Sequence, residues 1–238
     1  ISLFIFSQTI WIHSVSANQT DLQLKTDSSI LMEATTGSIL YEHNSNQRKY
    51  PASVTKIATA IYAIENANLD DIVTVSENAR YAEGTRVYLE AGEQVTLEKL
   101  LYGLIINSGN DAAVAIAEHI SGTEEQFAID LTNYLIEKTG IQNTNFTNSS
   151  GLFDENHYST AYDLATIVQY AMKNETFMKF YNAKELRWIG ESWDTTIVSH
   201  HRLVNGEIPY EGITGGKNGY VPQSRYTLAT TAKRDNMQ

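Results

Sequence analysis

The 238-residue sequence has no cysteine, which excludes disulfide staples, zinc ribbons, iron–sulfur clusters and thiol nucleophiles together. Proline is scarce at 3 residues, and the 14 glycines form no biased tract, so a disordered or fibrous chain is excluded. Positive charge is short as well: 17 Lys+Arg stand against 28 Asp+Glu, a formal net charge of -11. A nucleic-acid partner needs a basic face to displace counterions, and none is offered in bulk. No segment reaches the roughly 20 apolar residues of a membrane span. What is present is a chain 42% hydrophobic and 19% charged, enough for one or two domains that bury roughly 70–75% of the unfolded surface.

The first residues stand apart. Residues 1–12 (ISLFIFSQTIWI) are an apolar run followed by the small-residue pattern Val15-Ser16-Ala17. This reads as the back half of a secretory signal peptide, 1–17, lacking its Met and basic start. A buried strand or short helix is the alternative. The mature, exported chain is then expected from Asn18 to Gln238 as one catalytic unit, placed in the cell envelope or secreted. Export without disulfides fits an envelope of Gram-positive type.

Ile30–Ala34 and Ser38–Glu42 flank Thr35-Thr36-Gly37, a hairpin signal. Helical spacing of Ile57, Ala60, Ile61 and Ile64 predicts a helix over 54–66. Residues 97–106 read as an apolar helix capped by Thr96, and 111–120 as an Ala-rich helix closed by Gly122. Thr123-Glu-Glu-Gln126 is a capping-box pattern opening a helix that ends at Gly140, and Thr160 opens another running towards Asn174. Leu186–Ile189, Thr195–Ser199 and Tyr226–Ala232 read as strands. Strands at both ends around a helical middle predict a mixed α/β (α+β) fold, in which an antiparallel sheet formed by the two ends packs on a helical cluster.

One Ser-x-x-Lys occurs, Ser53 to Lys56, at the start of a predicted helix. Three-residue spacing puts both side chains on one face. A serine hydroxyl becomes a nucleophile when a base takes its proton, and a lysine serves once burial and a neighbouring cation depress its pKa. The Ser53 N–H is placed to stabilise an oxyanion. Alone, the pair equally fits a cap and a solvated lysine. Ser108-Gly109-Asn110 lies between two predicted helices, where Ser108 can relay a proton and Asn110 can hold a substrate amide; a plain inter-helix turn also fits. Ser76-Glu77-Asn78 is a decoy in a polar stretch. Lys138-Thr139-Gly140 is another, reading as a helix C-cap. Gly215-Gly216-Lys217-Asn218-Gly219-Tyr220 instead precedes a predicted strand, with Lys217 able to attract a carboxylate and the strand edge a peptide.

The ordered set Ser53-x-x-Lys56, Ser108-x-Asn110 and Lys217-x-Gly219 resembles the active-site serine penicillin-recognising enzymes. Thr36–Tyr41 before Pro51–Lys56, Leu104–Ala113, Asn148–Leu152 with His157 and Ser159, and Ala229–Asp235 are similar to the low-molecular-mass D-alanyl-D-alanine carboxypeptidases, over nearly all of the mature chain. The resemblance implies a β-lactamase/transpeptidase-like fold and attack by Ser53 on the carbonyl between two D-Ala residues of a peptidoglycan stem peptide. It gives Lys56 the role of general base and Ser108 that of proton relay to the departing D-Ala. The N–H groups of Ser53 and Tyr220 form the oxyanion hole, and Lys217 recognises the terminal carboxylate. Asn110, Asn218 and Gly219 complete the substrate-binding set. β-Lactams would acylate the same serine, and neither metal nor cofactor is implied.

Two departures stand out. The third motif of that family has Thr in its middle position, where this chain has Asn218, whose amide donates with a different length and geometry. The sequence stops at Gln238, where a further strand is expected; the resemblance places more strands, a closing helix and often a β-rich domain with an amphipathic membrane anchor beyond it. A class A-type β-lactamase requires a deacylating Glu, and residues 139–153 contain none. A stem-peptide-binding envelope protein without turnover is the other rival, favoured by Asn218. A metallohydrolase is disfavoured: adjacent His200 and His201 point to opposite faces of a predicted strand, and no His-Glu-x-x-His occurs.

Overall fold

A computed structural model describes residues 24–238; the segment 1–17 expected to be a signal peptide lies outside them. Strands β1 (Ser29–Met32) and β2 (Ile39–His43) pair antiparallel with Ile30 opposite Glu42. Their turn is tied by the Glu33 carboxylate, which accepts from the backbone N–H groups of Thr35 and Thr36 and from Thr36 Oγ1. Gly37 supplies the positive φ (74°) that closes it.

A 3-10 turn over Ala52–Val54 leads into α1 (Thr55–Asn66), so the helix starts one residue later than its apolar spacing suggests. Ladder β3 (Ile72–Thr74) with β4 (Gln94–Thr96) encloses the short α2 (Glu77–Arg80). In α2 the decoy Ser76 is an N-cap, accepting from the Ala79 N–H. Helices α3 (Leu97–Ile106), α4 (Asn110–Ser121) and α5 (Glu124–Thr139) follow. Thr96 and Thr123 cap α3 and α5 as expected, and Gly140 ends α5 at φ 73°. Helix α6 (Ala161–Ala171) is capped by Thr160 but stops before Asn174. Asn174 opens a separate α7 (Glu175–Tyr181), its Oδ1 accepting from the Phe177 N–H. An N-cap that closes a three-residue break looks like continued helical spacing in sequence.

Strands β5 (Glu185–Ile189) and β6 (Asp194–Val198) form a hairpin, as do β7 (Ile213–Val221) and β8 (Arg225–Ala232). The Gly-rich stretch 215–220 therefore does not precede a strand; it is one. Its glycines serve close packing: a Cβ at Gly215 would lie 2.3 Å from the Tyr181 ring, and one at Gly216 would lie 2.5 Å from the His201 ring. The described strands pair as four two-stranded antiparallel ladders rather than one continuous sheet. The turn of the first hairpin meets the residues after β8 through a backbone hydrogen bond from Ala34 N to Gln238 O. The core is the helical cluster, with Ile57, Ile61, Leu97, Leu100, Leu104, Ile116, Phe127 and Leu131 fully buried. Trp188 of β5 is buried as well, against Gly103 of α3, where a Cβ would come within 3.0 Å of the indole.

Candidate active site

Three segments far apart in sequence converge: the 3-10 turn and first turn of α1, the α3–α4 connection, and β7. Ser53 lies in the 3-10 turn after Ala52, whose φ of 49° is left-handed for a residue with a Cβ. Such strain persists only where the surroundings over-determine it, and here they do. Gly151 packs so close that a Cβ would sit 1.9 Å from the Ala52 carbonyl oxygen. On the other side Thr227 Oγ1 of β8 donates to Pro51 O at 2.9 Å.

Lys56 is fully buried one turn on. Its Nζ donates to Ser53 Oγ at 3.0 Å, to Asn110 Oδ1 at 2.7 Å and to Ser150 O at 2.7 Å. Burial holds its pKa well below the ordinary lysine value, and the charge of Lys217 adds to the depression; Asp111 and Glu124 oppose it. The spacing in sequence thus becomes a nucleophile–base contact within hydrogen-bond reach.

Ser108 sits between α3 and α4 with a left-handed φ of 60°, buried, and its Oγ accepts from Lys217 Nζ at 3.0 Å. Lys217 also donates to the carbonyl of Asn218 at 2.7 Å. Burial lowers the Lys217 pKa to about 7. Asn110 is held within the chain through both ends of its amide, while Nδ2 keeps a second hydrogen. Its Oδ1 accepts from Lys56, and its Nδ2 donates to Glu83 O at 2.5 Å. Asn110 thereby fixes Lys56.

Gly219 lets β7 pass against the nucleophile: a Cβ there would fall 2.6 Å from Ser53 N and from Thr227 Oγ1. The backbone beside Tyr220 is brought to the amide of Ser53 for that reason. The Tyr220 side chain points away, exposed, with its ring 5.0 Å from that of Tyr226. Asn218 is partly buried and pairs with Leu228 across the ladder.

Sequence reasoning missed three supports. Asp111, fully buried, accepts from the backbone N–H groups of Val87, Leu89 and Ala112 and so clamps the 81–89 loop to the start of α4. Burial raises its pKa against the pull of those donors. The 148–152 loop brings Ser150 O to Lys56 and Ser149 O to Thr59 Oγ1, at 2.7 Å each. His157 accepts at Nδ1 from the Thr147 N–H, which leaves Nε2 to donate to Thr55 Oγ1 at 2.8 Å. Burial lowers its pKa to about 4. The motif residues His157 and Ser159 carried no chemical signal beyond the resemblance, and these contacts span up to 102 residues. His200 and His201 lie beyond the end of β6 at Val198, not in a strand as expected; His201 is buried under Gly216 and bonds Thr230 Oγ1 at 2.8 Å, while His200 is exposed.

The sequence family described as D-alanyl-D-alanine carboxypeptidase (Peptidase S11) matches residues 13–238. The D-alanyl-D-alanine carboxypeptidase DacF of Bacillus subtilis is 37% identical over 245 residues, covering 100% of this chain and 62% of that protein. DacA of Haemophilus influenzae is 33% identical over 231 residues, covering 90% and 55%. The chain therefore spans less than two thirds of the length of these relatives. The solved D-alanyl-D-alanine carboxypeptidase of Mycobacterium tuberculosis H37Rv superposes with a TM-score of 0.83 at 28% identity, over 89% of this chain and 79% of that one.

Proposed function

The chain belongs to the D-alanyl-D-alanine carboxypeptidase family, and from that premise we propose that it removes the terminal D-Ala from peptidoglycan stem peptides through an acyl-enzyme on Ser53. The observation that carries this reading is the buried Lys56, 3.0 Å from Ser53 Oγ, with a pKa depressed by burial. Lys56, its pKa lowered by burial, takes the Ser53 proton in its neutral form as Oγ attacks the carbonyl of the scissile amide. The oxyanion is met by the N–H of Ser53, with the Tyr220 N–H as the second donor; the close passage of Gly219 over the Ser53 amide supports that pairing. The proton reaches the departing D-Ala nitrogen through Ser108, which Lys217 orients. Water then cleaves the ester and restores Ser53.

Lys217, about half charged near pH 7, supplies the cation that a terminal carboxylate requires. β-Lactams present a carboxylate and a strained amide in the same relation and acylate Ser53 in turn. Gly219 and Asn218 line the same edge. Asn110 fixes Lys56 through Oδ1, and the second hydrogen of its Nδ2 is the donor for a substrate amide carbonyl. Residues 18–238 form the catalytic unit, working in the cell envelope where stem peptides lie. Among the described residues no helix is long and apolar enough to cross a membrane.

Incubation with an acylated tripeptide ending in D-Ala-D-Ala tests the proposal. One free D-Ala per peptide, abolished by Ser53→Ala and by prior penicillin, is the expected result. Peptide bound without D-Ala release would instead favour a binding protein, the second reading, for which Asn218 in the third motif is the specific ground.

A further inference from the structure

Lys56 is reached by charge from several directions. Lys217 of β7 depresses its protonated form, Asp111 of α4 and Glu124 of α5 favour it, and its own charge acts in turn on His157 below α1. Of the two anions, Asp111 is occupied with the 81–89 loop. Glu124 is tied to the segment that touches Lys56. Its Oε1 accepts from Ser149 N at 2.9 Å and from Ser149 Oγ at 2.5 Å. Ser149 O then accepts from Thr59 Oγ1 and the next carbonyl, Ser150 O, accepts from Lys56 Nζ. Asn148 Oδ1 completes the turn by accepting from the N–H groups of Ser150 and Gly151. Glu124 is the first residue of α5, where the positive end of the helix dipole stabilises its carboxylate.

We propose that Glu124 is a positioning residue for the base: by gripping Ser149 it presents the Ser150 carbonyl to Lys56 and sets a fixed negative charge behind that lysine. The capping-box pattern Thr123–Gln126 assigns Glu124 only to the helix start, but its carboxylate is spent on a loop 25 residues away. The carbonyl holds Nζ in line with Ser53 Oγ, and the anion favours the protonated lysine. Removing the charge alone therefore makes Lys56 a base at lower pH. Removing the grip lets Nζ leave its line with Oγ, and small misplacements of a reacting group lower rates on the order of tenfold to a hundredfold.

The inference rests on the acyl-enzyme reading, which penicillin acylation of the unaltered chain tests separately. Acylation rates are measured by intact mass across pH for the unaltered chain, Glu124→Gln, Ser149→Ala and Glu124→Ala, each checked for folding by its melting transition. Glu124→Gln keeps acceptors for Ser149 and is expected to move the acidic limb of the profile to lower pH. Ser149→Ala keeps the charge and removes one donor, so it lowers the plateau without moving the limb. Glu124→Ala does both. A chain that acylates normally while Glu124→Gln leaves the acidic limb in place would overturn the proposal, and so would a Ser149→Ala variant with an unchanged plateau. No acylation of the unaltered chain would overturn the catalytic reading instead.

Discussion

The two lysines of the cleft each hold a serine hydroxyl at 3.0 Å, yet their settings differ. On the helix side, Lys56 donates to three acceptors drawn from three segments, and two buried or half-buried anions act on it. On the strand side, Lys217 donates to Ser108 and to the carbonyl of its own neighbour, and no ion pair reaches it among the described residues. Burial lowers both, Lys217 to about 7. The helix side thus supplies a base whose position is over-determined, and the strand side a cation whose charge is set by burial alone and lost as pH rises through neutrality. Two similar Lys–Ser contacts serve different steps because their surroundings, not their geometry, differ.

The sharpest way to break the comparison is Lys56→Met. Loss of the base is expected to lower penicillin acylation by about a thousandfold, within the range for general-base removal, as read by the rate of adduct formation. Lys217→Met is expected to lower acylation on the order of tenfold to a hundredfold, the worth of one charged hydrogen bond of roughly 1.5–3 kcal/mol, with the loss concentrated in affinity. Equal losses in the two variants would erase the distinction.

The pH profile sharpens it. The ammonium of Lys217 is present below about pH 7 and lost above it, so acylation efficiency falls as pH rises past 7. In Lys217→Met that basic limb disappears, whereas the acidic limb belonging to Lys56 remains but moves to higher pH, because the charge that helped depress that lysine is gone. A profile whose basic limb persists in the variant would assign it elsewhere.

A smaller effect concerns stability of the helix side. His157, neutral in the fold with a pKa of about 4 against an ordinary 6.5, packs under Thr55. Between those values the unfolded chain binds a proton that the folded chain does not. Stability therefore falls as pH drops from 6.5 to 4, by about 3 kcal/mol. Denaturant unfolding of the unaltered chain and of His157→Gln measures it: the variant should lose that part of the acid dependence.

The smallest effect is on the strand side. Asn218→Thr restores the hydroxyl of the family's third motif and is expected to raise acylation about fivefold, one hydrogen bond of about 1 kcal/mol. A fall in rate would mean that the strand edge has adapted to the amide.

The legible parts of this molecule are the local ones. Thr96, Thr123 and Thr160 each cap the helix that their position before an apolar period indicates, because a cap acts within three residues. Ser53 and Lys56 meet because one helical turn brings them together. Strand β7 was hidden by its own glycines, which read as a loop but allow passage against Ser53 N, Tyr181 and His201. Asp111, Ser150 and Glu124 were mute for another reason: each acts on a partner fixed only by tertiary packing, such as Ser150 O on a lysine 94 residues away. Residue type and spacing announce that Asn110 can hold an amide; only the fold shows that its Oδ1 is spent on Lys56.

The most direct test is the intact mass of the chain after incubation with a fluorescent penicillin, followed by peptide mapping, beside Ser53→Ala. One adduct per chain, located on Ser53, absent from the alanine variant and slow to be released, is the predicted result. A folded chain that gains no mass, or gains it at another residue, would contradict the assignment of Ser53 and Lys56 as nucleophile and base.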